Sequence, residues 1–277
     1  FLVENLFWLE NISILLFRTL IFSILQLNSN STPKSKHRLS KAFGILKIPP
    51  LRERGEDLNQ IIMVCSGSEA NDIALRMAQA ATGKTGIIAT DNTYHGNTMA
   101  VSQLSSRKPP IGGYAANVRH VTAPDTLRPI GGDYKSQANA FAKEIQTAIN
   151  DLETSGYGFS GFLFCPTFAN EGLPDLPKNF MAPAAQIIKA AGGILISDEV
   201  QPGFGRTGDN WWGHEWLKLS PDVVTLGKPM ANGHPVAAVV AKENIMADFR
   251  NAFGYFNTFG GNPVSCAAAA ATLDVIE

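Results

Sequence analysis

The sequence predicts an α/β domain: a mostly parallel central sheet with helices packed on its faces. Three observations carry that expectation. From about residue 58 the chain alternates short β-branched or apolar runs with longer stretches of helical periodicity, the pattern of repeated βα units. Most of the runs are apolar throughout, as strands covered on both faces are. Gly, Pro or Asp bounds most of them, marking turns at the sheet edges.

Taken in order, the run 61–65 leads through a small-residue turn into a helical pattern over 71–81, with Ile73, Leu75, Met77 and Ala78 among its apolar positions. Runs at 86–90 and 118–122 supply the second and third strands. The amphipathic stretch 135–152 precedes a fourth run at 162–165, and the stretch 178–191 precedes a fifth at 193–197. Runs at 222–226 and 236–241 complete the set. No internal repeat is present. In such sheets ligands bind where strands end and helices begin, so the informative residues should sit just after apolar runs.

Residues 1–57 read differently. Their run 12–27 is apolar but about one helical turn short of a membrane span, and Arg18 interrupts it. A charge in mid-span costs on the order of 2.5–3.5 kcal/mol on insertion scales. Glu4 and Glu10 stand where a secretory signal would be basic, and no small-residue cleavage site follows. The polar tract 28–41 reads as linker. The organisation expected is an atypical leader over 1–57, disordered or non-native, and one ligand-binding domain over 58–277. The first residue is Phe, which fits a fragment, a processed product or an imperfect gene model.

At 277 residues the chain can bury one substantial core, with or without an appendage. Its 23 Lys+Arg against 24 Asp+Glu leave a net charge of −1, which points away from nucleic acid and other polyanions. Cys65, Cys165 and Cys266 are widely spaced and odd in number. They form neither a metal-ligand spacing nor a disulfide framework, so a reducing compartment is expected, cytoplasmic or, in a eukaryote, organellar. The sequons at Asn11 and Asn30 are short enough to be chance matches.

Three places after apolar runs carry chemistry. Cys65-Ser66-Gly67-Ser68-Glu69 opens a helix, with Ser66 and Glu69 at capping-box spacing. Free N–H groups, the helix dipole and a Ser hydroxyl there suit a phosphate; the bland alternative is an ordinary well-capped helix. Asp198 follows the run 193–197 directly. A carboxylate at that edge can keep a pyridine nitrogen protonated, or it can simply cap a helix or form a structural ion pair. Lys228 follows the run 222–226 between Gly227 and Pro229. A constrained, dry setting would favour the neutral amine that Schiff-base chemistry needs; the alternative is a surface lysine in a turn.

In order, the segments SGSEANDIALRMAQ, TYHG, DEVQPGFGRTG, TLGKPMANGHPVAAVV and YFNTFGGNPVSCAAA closely resemble class-III pyridoxal-phosphate aminotransferases. The likeness is greatest to the branch holding alanine–glyoxylate aminotransferase-like enzymes and ethanolamine-phosphate phospho-lyase. It runs from about Leu58 to the end of the chain. It implies the large domain of a fold-type-I transferase, with pyridoxal 5'-phosphate as cofactor. Gly67 and Ser68 would hold the cofactor phosphate, Tyr94 would lie against the ring face, and His95 would pack or hydrogen-bond nearby. Asp198 would pair with the ring nitrogen and Gln201 would lie near the ring hydroxyl. Lys228 would carry the cofactor as a Schiff base and then shuttle the substrate proton. Thr258 would reach across a homodimer interface to the partner's cofactor phosphate. Arg206 reads as structural.

The sequence also departs from the family. Relatives continue past the Thr258 segment into a small domain, which is expected to be largely missing here, and 1–57 reads as unlike their upstream segment. Cys165 stands where many relatives place an acidic residue that sorts substrates, and Glu171, further along, does not replace it. The expected activity is transfer of an amino group from an amino acid or amine to a small 2-oxo acid. The alternatives are a lyase acting on a phosphorylated amine and a truncated, catalytically incompetent remnant. No metal, nucleic acid or membrane partner is expected.

Overall fold

The computed structural model describes residues 58–106 and 108–276; the leader expected over 1–57 lies outside the described residues. The chain runs β1 (Leu58–Val64), α1 (Gly67–Thr82), β2 (Gly86–Thr90), α2 (Met99–Ser102) and β3 (Val118–Val121). It continues through α3 (Gln137–Thr154), β4 (Phe159–Phe164), α4 (Ala182–Ala190), β5 (Ile194–Asp198) and α5 (Gly213–Trp216). It closes with β6 (Val223–Leu226), β7 (Ala237–Lys242), α6 (Glu243–Ala252) and α7 (Pro263–Ile276).

The strands form one seven-stranded sheet in the order β1-β7-β6-β5-β4-β2-β3. The pairs β2–β3, β2–β4, β4–β5 and β5–β6 are parallel. Strand β7 pairs antiparallel with both β1 and β6, so it alone points the other way. All seven expected strands are present: β2 coincides with its run at both ends, and the others differ by at most three residues at either end. In β1 the shift has a cause: Leu58 and Gln60 pair with Lys242 and Ala241 of β7 across a register irregularity, extending the strand upstream through the polar Asn59 and Gln60.

Strand pleating divides the core between two faces. On one, Ile88, Phe162 and Phe164 pack with Phe141 and Ile145 of α3 and Ile188 of α4. On the other, Ile87, Ala89 and Leu163 pack with Ile73, Ala74 and Met77 of α1 and Phe249 of α6. Both faces are therefore covered, which is why the strands read as unbroken apolar runs.

Helix α1 starts where its caps dictate. Ser66 Oγ accepts from the Glu69 N–H at 3.2 Å, satisfying a first-turn donor. The Glu69 carboxylate accepts from the Cys65 N–H at 2.8 Å, one residue upstream of the partner that a capping box uses. Gly83 ends the helix in the left-handed region at φ 68°, its N–H bonded to the Gln79 carbonyl. Among the described residues, no helix is long and apolar enough to cross a membrane.

Candidate active site

Strands β2, β4, β5 and β6 run in one direction, and β1 joins them because two antiparallel steps through β7 restore its sense. Their C-terminal ends therefore gather along one edge of the sheet. At that edge lies a cavity of about 180 Å³. Gly67 and Ser68 line it from the start of α1, and Tyr94, His95 and Gly96 from the loop after β2. Cys165 and Asn170 come from beyond β4, Asp198, Val200 and Gln201 from the end of β5, and Lys228 from beyond β6. Seven residues singled out from sequence (Gly67, Ser68, Tyr94, His95, Asp198, Gln201 and Lys228) are thus brought together. Thr258 is not; it is exposed in the loop between α6 and α7. Arg206 is exposed as well.

Asp198 is buried, with 5% of its surface accessible, and so requires compensating donors. Its Oδ2 lies 2.7 Å from His95 Nδ1 and 2.9 Å from Asn71 Nδ2. Its Oδ1 accepts from the Val200 N–H at 3.0 Å. His95 Nε2 stands 3.2 Å from Thr93 Oγ1, so both ring nitrogens are engaged and the imidazole backs the carboxylate. The adjacent Glu199 is fully buried and serves another purpose. It accepts from the backbone N–H groups of Gly213 and His214, each at 2.8 Å, tying down the start of α5.

Lys228 opens a 3₁₀ turn, Lys228–Ala231, at φ 37°, a left-handed conformation uncommon for a side-chain-bearing residue. Its Nζ donates to Gln201 Oε1. The expected dry setting is not found: Lys228 is exposed, because the Gly-Lys-Pro backbone constrains the main chain without covering the side chain.

Two glycines shape the α1 end of the cavity. A Cβ on Gly96, at φ +145°, would stand 2.8 Å from Ser68 Cα, closer than atoms pack. A Cβ on Gly67 would meet Val200 Cγ1 at 2.9 Å. The loop after β2 and the strand end at Val200 thus approach the helix start closely. Ser68 Oγ accepts from the Asn97 N–H at 3.0 Å. The N–H groups of Gly67 and Ser68 belong to the first turn, which has no intrahelical acceptors for them.

The residues overlooked in the sequence are Asn71, Thr225 and Asn170. Asn71 lies three, four and seven residues before Ala74, Leu75 and Ala78, within the buried stripe of α1. A carboxamide on an apolar stripe is the signal that could have found it. Cys165 is buried, and its thiol is pushed up to about 12, first by desolvation and then by the nearby Asp198 charge. It thus presents an uncharged thiol to the cavity. Glu171 accepts from Thr90 Oγ1 at 2.7 Å, fastening the loop that carries Asn170 to the end of β2.

Size alone does not mark the site. A cavity of about 680 Å³ lies between β3 and α3, but it is at the sheet's outer edge, and the Arg119 guanidinium within it is paired with Asp151. Among the described residues, no group of three or more His, Cys, Asp or Glu side chains is placed to hold a metal ion.

The family model for aminotransferase class-III matches residues 26–277. The chain belongs to the class-III aminotransferase family. The match begins within 1–57, upstream of the segment whose likeness was legible in the motifs. The chain is 37% identical over 233 residues to alanine–glyoxylate aminotransferase 2-like of Drosophila melanogaster, covering 80% of this chain and 47% of that protein. Its fold is similar to that of a phospholyase from Arthrobacter in complex with phosphoethanolamine, at TM-score 0.77 and 38% identity, covering 86% of this chain and 55% of the other. An aminotransferase from Vibrio fluvialis in its PMP-bound form gives TM-score 0.74 and 26% identity over the same shares. These class-III likenesses match the branch read from the motifs, and the sheet matches the large domain of fold-type-I aminotransferases. The chain spans about half the length of the curated relatives it matches.

Proposed function

We propose that this domain binds pyridoxal phosphate and moves an amino group from an amino acid or amine to a small 2-oxo acid. The observation that carries the reading is the convergence of Lys228 and Asp198 on one cavity from the ends of adjacent strands β6 and β5. The residues present fit the cofactor. First-turn N–H groups and the Ser68 hydroxyl suit its phosphate, a buried carboxylate suits its ring nitrogen, and a primary amine suits its aldehyde.

When bound, pyridoxal phosphate supplies a carbonyl and a ring that withdraws electrons from a substrate Cα–H bond. Gly67 and Ser68 anchor the anionic end, with the α1 dipole adding favourable charge. Tyr94 flanks the ring. Asp198, held by His95, Asn71 and the Val200 N–H, would pair with the ring nitrogen and keep its proton in place. Lys228 Nζ would hold the cofactor through its aldehyde and, when free, would be the base placed to take a substrate Cα proton. Gln201 restrains that amine from the side. Thr258, outside this cavity, serves the second subunit of a homodimer.

Similarity to the Arthrobacter phospholyase favours a second reading, elimination of phosphate from a phosphorylated amine. Reconstituted protein given an amine donor and a 2-oxo acid separates the two. Pyridoxamine phosphate formed with new amino acid supports transfer; stoichiometric phosphate release from phosphoethanolamine without pyridoxamine phosphate supports elimination. Failure of both, with no cofactor absorption band that Lys228→Ala abolishes, would overturn the assignment.

A further inference from the structure

Asn71 is 0% exposed, with both amide hydrogens and its carbonyl oxygen engaged in hydrogen bonds. Its Nδ2 donates to the His95 carbonyl at 2.7 Å and to Asp198 Oδ2 at 2.9 Å. Its Oδ1 accepts from the Thr225 hydroxyl at 2.7 Å. One carboxamide therefore joins α1, β5, β6 and the loop after β2. The bond to Asp198 restrains rotation of the carboxylate; the bond to the His95 carbonyl places the residue whose imidazole reaches the same oxygen. Oδ2 is filled by two donors, whereas Oδ1 carries the Val200 N–H and only a 3.5 Å contact to Thr225. Oδ1 is the oxygen left with accepting capacity to spare. An apolar residue would suit the stripe of Ala70, Ala74 and Ala78 better if packing were the sole demand.

We propose that Asn71 is a positioning residue: it locks Asp198 and His95 into one oriented unit and reserves Oδ1 for the ring nitrogen. The lock itself is a property of this chain; its catalytic meaning rests on the cofactor reading above. The other titratable groups facing the unit are Tyr94 from the loop after β2, Cys165 from beyond β4 and Lys228 from beyond β6, with His120 of β3 close enough to His95 to interact with it electrostatically.

Asn71→Asp tests the idea because it keeps the shape and replaces a donor with a second carboxylate against Asp198. Two carboxylates so close share one proton, and the pair releases it at an elevated pH. In the cofactor-free chain, ¹³C carboxyl and ¹⁵N imidazole NMR titrations should show that shared proton and a displaced His95 response, neither present in the unmodified chain. With pyridoxal phosphate added, affinity should fall about tenfold or more, as for loss of a hydrogen bond to a charged group, and the loss should deepen as the shared proton leaves. Should Asn71→Asp not fold, Thr225→Val removes the 2.7 Å bond to Asn71 Oδ1 together with the long 3.5 Å contact to Asp198 Oδ1 and should weaken cofactor binding in the same direction. Folded variants whose titrations and cofactor affinity stay within twofold of the unmodified chain at every pH would reduce Asn71 to packing. If the unmodified chain binds no cofactor, the functional reading fails while the cofactor-free titrations still decide for or against the lock.

Discussion

Asp198→Asn isolates the charge at the centre of the site. The carboxylate takes three hydrogen bonds, from His95 Nδ1 at 2.7 Å, Asn71 Nδ2 at 2.9 Å and the Val200 N–H at 3.0 Å. An asparagine can keep the first two by placing its carbonyl at the Oδ2 position. Its amide group then faces the Val200 N–H, donor against donor, and that bond is lost at a cost of about 1 kcal/mol. The larger loss falls on the ligand. A charge-assisted hydrogen bond contributes about 1.5–3 kcal/mol, so the dissociation constant for pyridoxal phosphate should rise between about tenfold and a hundredfold or slightly more. Turnover should fall further, because an unprotonated ring withdraws electrons poorly. Equilibrium dialysis gives the affinity, a thermal melt checks the fold, and amino-transfer assays give the rate. A folded variant that binds within twofold of the unmodified chain and turns over normally would refute the role given to Asp198.

Gly96→Ala should lower the melting temperature and weaken cofactor binding, since φ +145° is strained for alanine and its Cβ would stand 2.8 Å from Ser68 Cα; the strain amounts to about 1–3 kcal/mol, readable by urea denaturation. Ser66→Ala removes the cap on the Glu69 N–H and should cost about 1 kcal/mol of stability while altering cofactor affinity less than Gly96→Ala does. Burial raises the Cys165 thiol from 9.0 to about 12. Above pH 9 the unfolded chain then loses this proton while the folded chain keeps it, so stability should fall as pH rises from 9 towards 12. Melts across that range should be flatter for Cys165→Ala. In the folded chain Cys165 should also resist alkylation longer than the half-buried Cys65 and Cys266, as peptide mapping can show.

The parts of the fold legible in sequence are those whose cause is local. Strands buried on both faces appear as apolar runs, and the Ser66–Glu69 spacing marks the start of α1. The reversed direction of β7 was not legible, because an apolar run reads alike in either sense. Helix α7 escaped notice because its run of alanines, PVSCAAAAATLDVI, has no polar face to set a period. The site was legible where motif residues fall at strand ends, and illegible where its meaning depends on distant partners. Asn71 meets His95, Asp198 and Thr225 across 24, 127 and 154 residues, separations that no local pattern reports. The expected dryness of Lys228 erred for a related reason: neighbours in sequence restrict a backbone, whereas solvent access depends on what else packs there.

The most direct test joins the amine to the carboxylate. The chain is reconstituted with pyridoxal phosphate, reduced with borohydride and digested, and the modified peptide is sequenced. The adduct should lie on Lys228 in the unmodified chain, and its yield at limiting cofactor should drop in Asp198→Asn. An adduct on another lysine, or a yield indifferent to Asp198, would show that the two groups do not serve one ligand.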